Sequence, residues 1–250
     1  MEAFHSRSRN NILDISGIRG YGLRSIRDFG FRRIEIDYTY ESYESSSKVK
    51  RSIYGGVFTR NMHKGLEYSA FGYKMKGKKG SEKFDGYALG IYGKFEGVID
   101  PIGKGGAWIR YILGSGDELD DESGFLPVLS SVESDILGEF YARNREFRYI
   151  DGTLSSSISM NHSIANLSIL RNALYATVRD DISVFMIRST FKKHQPSVPL
   201  GGSLTLGVIY NYRFIQFQAA YTNFKPETAY DAYIGDKATK FYTLGLSSRF

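Results

Sequence analysis

The chain ends on a two-residue period. Tyr242, Leu244, Leu246 and Phe250 fall on one parity, with Ser248 as its weak member, and Thr243, Gly245, Ser247 and Arg249 fall on the other. Successive side chains of a strand point to opposite faces, so this stretch reads as a strand with one apolar face. A bare edge of that kind templates aggregation through its unpaired backbone groups. Pairing this last strand with the first closes the sheet and removes the edge. The expected fold is all-β: a closed, antiparallel, up-and-down barrel.

The same period recurs upstream. In 31–42, Ile34, Ile36, Tyr38 and Tyr40 alternate with Glu35, Asp37, Thr39 and Glu41. Segment 84–96 sets Tyr87, Leu89, Ile91 and Phe95 against Ala88, Gly90, Tyr92 and Lys94, and 105–115 sets Ile109 and Tyr111 against Trp108, Arg110 and Ile112. Segment 203–212 sets Leu204, Leu206, Val208, Tyr210 and Tyr212 against Ser203, Thr205, Gly207, Ile209 and Asn211, and 214–224 sets Phe217 and Tyr221 against Gln216, Gln218 and Thr222. Fainter segments lie at 50–60, 64–75, 136–146, 149–160, 166–178 and 182–192. The total is about twelve, each near the ~9–11 residues a tilted strand needs to cross a bilayer.

One face is crowded with Tyr, Leu, Ile and Phe, and the other with Ser, Thr, Gly, Gln, Asn and charge. Small polar side chains cannot fill a dry core at protein packing density. They suit a water-filled lumen, which leaves the apolar face for lipid. A mean hydropathy of −0.31 fits that arrangement, because only alternate residues need be apolar. A soluble β-sandwich or barrel also alternates, but it carries its bulky residues inward and polar ones outward. All five prolines (Pro101, Pro127, Pro196, Pro199, Pro226) fall in expected connectors, as the loss of a ladder donor requires. Connectors at 43–49, 76–83, 116–135, 193–201 and 225–238 are long, and most of the alternate ones are short.

Residues 1–30 read differently, giving an organisation of an amino-terminal extension (1–30) and a barrel (31–250). Ile12, Ile15, Ile18, Gly22 and Ile26 have helical spacing, but Gly17, Gly20 and Gly22 weaken a helix, so a periplasmic tail or a lumenal segment is expected. The net charge of +6 is scattered over turns and strand ends, with one short cluster at 74–79 (KMKGKK), and nucleic acid is not an expected partner.

Cysteine is absent, and the four histidines, His5, His63, His162 and His194, have no metal-ligand spacing. Neither a metal nor another cofactor is expected, nor is catalysis. Inward charges of the wall are expected to be Arg33, Glu35, Asp37, Arg110, Glu139, Arg143, Arg188 and Arg249. The acidic run Asp117, Glu118, Asp120, Asp121 and Glu122 opens the longest connector and is expected to fold inward and narrow the pore.

The closing segment Tyr242, Leu244, Leu246, Phe250 resembles the last strand of bacterial outer-membrane β-barrels, which typically ends in Phe. That resemblance implies export, insertion by the barrel-assembly machinery, contact with outer-membrane lipid and lipopolysaccharide, and both termini in the periplasm. The implied function is a porin-like channel for small hydrophilic, including anionic, solutes. Segment 86–96 resembles strands of autotransporter translocator domains, which export a passenger. Asn161, His162 and Ser163, with Asn166 and Asn172, resemble the residue set of outer-membrane phospholipases. That family keeps its His and Ser two apart on one face. Here the adjacent pair points to opposite faces, which disfavours a lipid hydrolase.

Overall fold

The structure, a computed structural model, describes residues 2–10, 15–44, 48–62, 65–99, 103–115, 167–194, 197–227 and 238–248. Among them are twelve strands: β1 (Glu2–Asn10), β2 (Ile15–Asp28), β3 (Arg32–Glu44), β4 (Lys48–Met62), β5 (Leu66–Lys79), β6 (Glu82–Ile99), β7 (Gly103–Gly114), β8 (Leu167–Arg179), β9 (Ile182–Lys193), β10 (Pro199–Tyr212), β11 (Ile215–Pro226) and β12 (Thr239–Ser248). They form one sheet in chain order, and each pairs antiparallel with the next.

The amino-terminal extension is not a tail. Residues 2–10 and 15–28 are the first two strands, and β2 is held to β3 through pairs such as Leu23↔Tyr38 and Arg24↔Asp37. The expected loop at 76–83 is also strand: β5 and β6 run on to a turn of Gly80 and Ser81, and Lys78 pairs with Lys83. The segments 136–146 and 149–160 lie outside the described residues. Pro199 and Pro226 are the first and last residues of their strands, where a missing N–H costs the ladder least.

Connectors differ between the two ends of the sheet. At one end β1, β3, β5, β7, β9 and β11 finish, and 115–166, 194–198 and 227–238 are the long intervals in sequence before the next strand, against the shorter 11–14, 45–47 and 80–81. The other carries only 29–31, 63–65, 100–102, 180–181 and 213–214, and it is where β1 begins and β12 ends. These are called below the loop end and the turn end. At the turn end Gly30 adopts φ 76°, which Cβ sterics disfavour in other residues, and its N–H donates to Asp28 Oδ1 at 2.9 Å. Arg179 donates Nε and Nη2 to the two carboxylate oxygens of Asp181, each at 2.6 Å. Those bonds hold the Asp181 carboxyl below the usual carboxylate range.

Alternation sorts the side chains onto two faces. Asp37, Thr39, Ile53, Tyr73, Met75, Ala88, Ile112, Ile169, Ser189, Ser203 and Thr222 are buried, and all of them occupy one face of the register. The opposite face exposes Ile36 at 62%, Ile91 at 62% and Leu244 at 87%.

That exposed face has an order of its own. Aliphatic residues dominate its middle, with Leu89 and Ile91 on β6, Ile109 on β7, Leu170 and Leu174 on β8, and Leu204, Leu206 and Val208 on β10, interrupted by Asn172 and Arg188. Aromatic residues flank this band on both sides. Toward the turn end stand Phe58, Tyr68, Phe95, Tyr210, Tyr212 and Phe217, with Phe58 against Tyr68 at 6.2 Å and Tyr210 against Phe217 at 6.2 Å. Toward the loop end, Tyr21 stacks on Tyr40 at 4.9 Å and Tyr221 packs on Tyr242 at 5.3 Å, with Tyr38, Tyr54, Tyr87 and Tyr111 between them around the sheet. On β6 the two girdles, Phe95 and Tyr87, are about 26 Å apart along the strand at ~3.3 Å per residue.

Candidate functional site

The buried face is the candidate site, and glycine shapes it. Four times a glycine on this face stands directly opposite an aromatic residue: Gly55 and Tyr73, Gly90 and Phe71, Gly106 and Tyr175, Gly207 and Phe185. A Cβ at any of these glycines would strike the facing ring. Each ring leans over the glycine of the neighbouring strand.

Tyr73 uses that space to make a contact. Its side chain passes Gly55 on β4 and donates from Oη to Asp37 Oδ2 on β3 at 2.7 Å. Asp37 also accepts from Arg24 Nε on β2 at 2.7 Å, and the carboxylate is only 2% exposed. One acid therefore ties β2, β3 and β5 together across β4. Burying a carboxylate is costly unless it is paired and hydrogen-bonded, and both conditions hold here.

Polarity changes along the wall. Near the turn end the inward residues are charged and partly exposed: Arg33 bonds Glu35 at 2.7 Å and Lys94 bonds Glu96 at 2.5 Å. Mid-wall, Tyr92, Arg110, Arg171 and Ser189 follow one another in register. Arg110 lies 5.1 Å over the Tyr92 ring, and Arg171 Nε donates to Ser189 Oγ at 3.0 Å. Toward the loop end the wall is closed to solvent and largely apolar, with Thr39, Arg51 and Ser203 buried in it. Val49, Ile53, Met75, Ile112, Ile169, Phe191 and Phe224 are each 0–4% exposed. Ile112, Ile169 and Phe191 sit side by side in register, and Phe191 meets Phe224 edge-on at 6.2 Å across Gly201 and Ser203 of β10.

The expected wall residues fall out as follows. Arg33, Glu35, Asp37 and Arg110 stand on the buried face, and the structure brings Arg33 and Glu35 into contact. Arg188 does not belong with them. It pairs with Leu204 and Asn172 on the exposed face, while its neighbour Ser189 is 2% exposed on the other. Its own strand has apolar residues on both parities, so only the pairing to β8 and β10 fixes its direction. A concavity of about 1180 Å³ adjoins it, lined mainly by exposed-face residues including Asn172, Arg188, Leu204, Asn223 and Lys225.

Glu139, Arg143, Asp117, Glu118, Asp120, Asp121, Glu122, Arg249 and Phe250 lie outside the described residues, as do Asn161, His162, Ser163 and Asn166. Tyr242, Leu244 and Leu246 are at 73%, 87% and 71% exposure on the outward side of β12. Sequence reading missed Arg24, Arg51 and Arg171 as inward charges. Arg24 was hidden by the glycine-rich look of 1–30, and the faint alternation of 50–60 and 166–178 hid the other two.

No protein-family model matches the chain, and comparison with curated protein sequences gives no match. Among solved structures the chain is similar to the β domain of the Bordetella autotransporter BrkA, at 12% identity and a TM-score of 0.35, over 94% of this chain and 91% of that one.

Proposed function

We propose that this chain is an outer-membrane β-barrel, sealed by pairing β12 with β1, whose lumen is a conduit closed at rest in the manner of a translocator. Membrane insertion is supported by the exposed aliphatic band between two aromatic girdles, the pattern lipid-facing strands adopt. The long connectors then face outward and both chain ends face the periplasm. One observation carries the functional reading: the inward belt of Ile112, Ile169, Phe191 and Phe224 is excluded from water. A permanently open aqueous channel would keep such a layer wet, and a hydrophobic constriction opposes ion passage by dewetting. The charged wall near the turn end serves as a vestibule beneath that belt.

Planar-bilayer recording tests this. The wild-type chain should be almost silent, and the double variant Phe191→Ala with Phe224→Ala should raise single-channel conductance severalfold. Steady open-pore current from the wild type, unchanged in the double variant, would establish a passive porin for small hydrophilic solutes instead. That second reading draws on the partly exposed charges of Arg33, Glu35, Lys94 and Glu96.

A further inference from the structure

Three lysines of the 74–79 cluster stand on the face opposite the buried one. Lys74, Lys76 and Lys78 share the outward face of β5, and the register sets them beside outward residues of β4 and β6. The outward rows step from aromatic to cationic toward the loop end: Tyr54–Lys74–Tyr87, then Ser52–Lys76–Asp85, then Lys50–Lys78–Lys83. Lys76, Lys78 and Lys83 are exposed. Within this group Lys74 is bonded to Asp85, at 3.1 Å.

Like charges placed directly opposite one another in a sheet are destabilising, yet the last row opposes three lysines on three adjacent strands. Such a row calls for an anion from outside the chain. Its level also says which anion. Tyrosine girdles mark the boundary between hydrocarbon and headgroup, and these lysines begin at the tyrosine row and continue beyond it.

We propose that the outward face of β4–β6 binds the phosphate groups of a phosphorylated lipid in the leaflet at the loop end, with Lys50, Lys76, Lys78 and Lys83 as the contacting cations. This rests on the membrane-barrel reading above. Tyr54 and Tyr87 lie along the acyl–headgroup boundary of the bound lipid, and Lys74, with Asp85 as its internal partner, positions the edge of the patch.

The test uses the full chain in neutral detergent micelles, titrated with diphosphoryl lipid A, with binding read by native mass spectrometry. Wild type should bind it, should bind the dephosphorylated lipid far more weakly, and should lose affinity as salt is raised. The quadruple variant K50Q/K76Q/K78Q/K83Q should bind diphosphoryl lipid A about a thousandfold more weakly, and the matching lysine-to-arginine variant should retain binding. Equal affinity for phosphorylated and dephosphorylated lipid, or an unaffected glutamine variant, overturns the proposal. Should the glutamine variant not fold, the lipid and salt comparisons on wild type decide alone. Insertion of wild type into neutral phosphatidylcholine vesicles separates the two levels. A chain that inserts there but ignores phosphate defeats only the lysine site, whereas a chain that does not insert defeats the barrel.

Discussion

Asp37→Ala is expected to lower the unfolding free energy by about 3–5 kcal/mol, the cost of removing one partner from a buried charged pair. The substitution removes Oδ1, which accepts from Arg24 Nε, and Oδ2, which accepts from Tyr73 Oη, each at 2.7 Å. Tyr73→Phe removes a single bond and should cost about 1–3 kcal/mol, because hydrogen bonds to charged groups exceed neutral ones. Urea unfolding in detergent micelles measures both. The order Asp37→Ala worse than Tyr73→Phe is the informative outcome, because it identifies the acid as the hub of β2, β3 and β5. A loss under about 1 kcal/mol for Asp37→Ala would show that the tie contributes little beyond the ladder around it.

The second large effect concerns the two faces. Leu206 lies mid-band on the exposed face, paired with Met186 and Tyr221. Leu206→Arg should destabilise the membrane-inserted protein by about 2–4 kcal/mol, as basic residues near the bilayer midplane do. Gln218→Arg, on the inward face and half-buried, should cost under about 1 kcal/mol, because a hydrated wall accepts charge. Folding equilibria in vesicles report the contrast. Equal penalties at the two sites would mean that both faces meet the same solvent.

Arg188, on the exposed face, has polar company. Asn172 is its direct neighbour, and the adjoining concavity gives the guanidinium space beside Asn223 and Lys225.

Much of the architecture was legible wherever one parity was cleanly apolar. In 31–42, 84–96 and 203–212 each residue's face follows from its neighbours in sequence, because a strand's period is fixed at two. Where both parities are apolar, as in 182–192, the chain's own pattern gives no direction, and Arg188 was placed on the wrong face. Register with Leu204 and Asn172 resolves it, and register is a long-range property. The amino-terminal strands were hidden for another reason. Gly20 and Gly22 have no side chain to mark a face, and Ile26 lies on the inward side with Arg24 while Tyr21 and Leu23 point outward. That mixture imitates helical spacing. β2 is held by its ladder to β3 and by the Arg24–Asp37 bond, and pairs 13 or more residues apart carry no local signal. The inward apolar belt escaped notice because Ile112, Ile169, Phe191 and Phe224 come from four separate segments, and only the assembled sheet brings them to one end.

The absence of cysteine from the native chain makes the central test clean, since a single introduced thiol is the sole reactive site. Cysteine would be placed one position at a time at Gln216 and Gln218 on the inward face, and at Leu206, Val208 and Leu244 on the outward face, in protein held in phosphatidylcholine vesicles. A charged, membrane-impermeant maleimide should modify the two glutamine positions and leave the three aliphatic positions unlabelled until detergent is added. Rapid labelling of Leu206, Val208 and Leu244 in intact vesicles would place that face in water and contradict a lipid-embedded barrel.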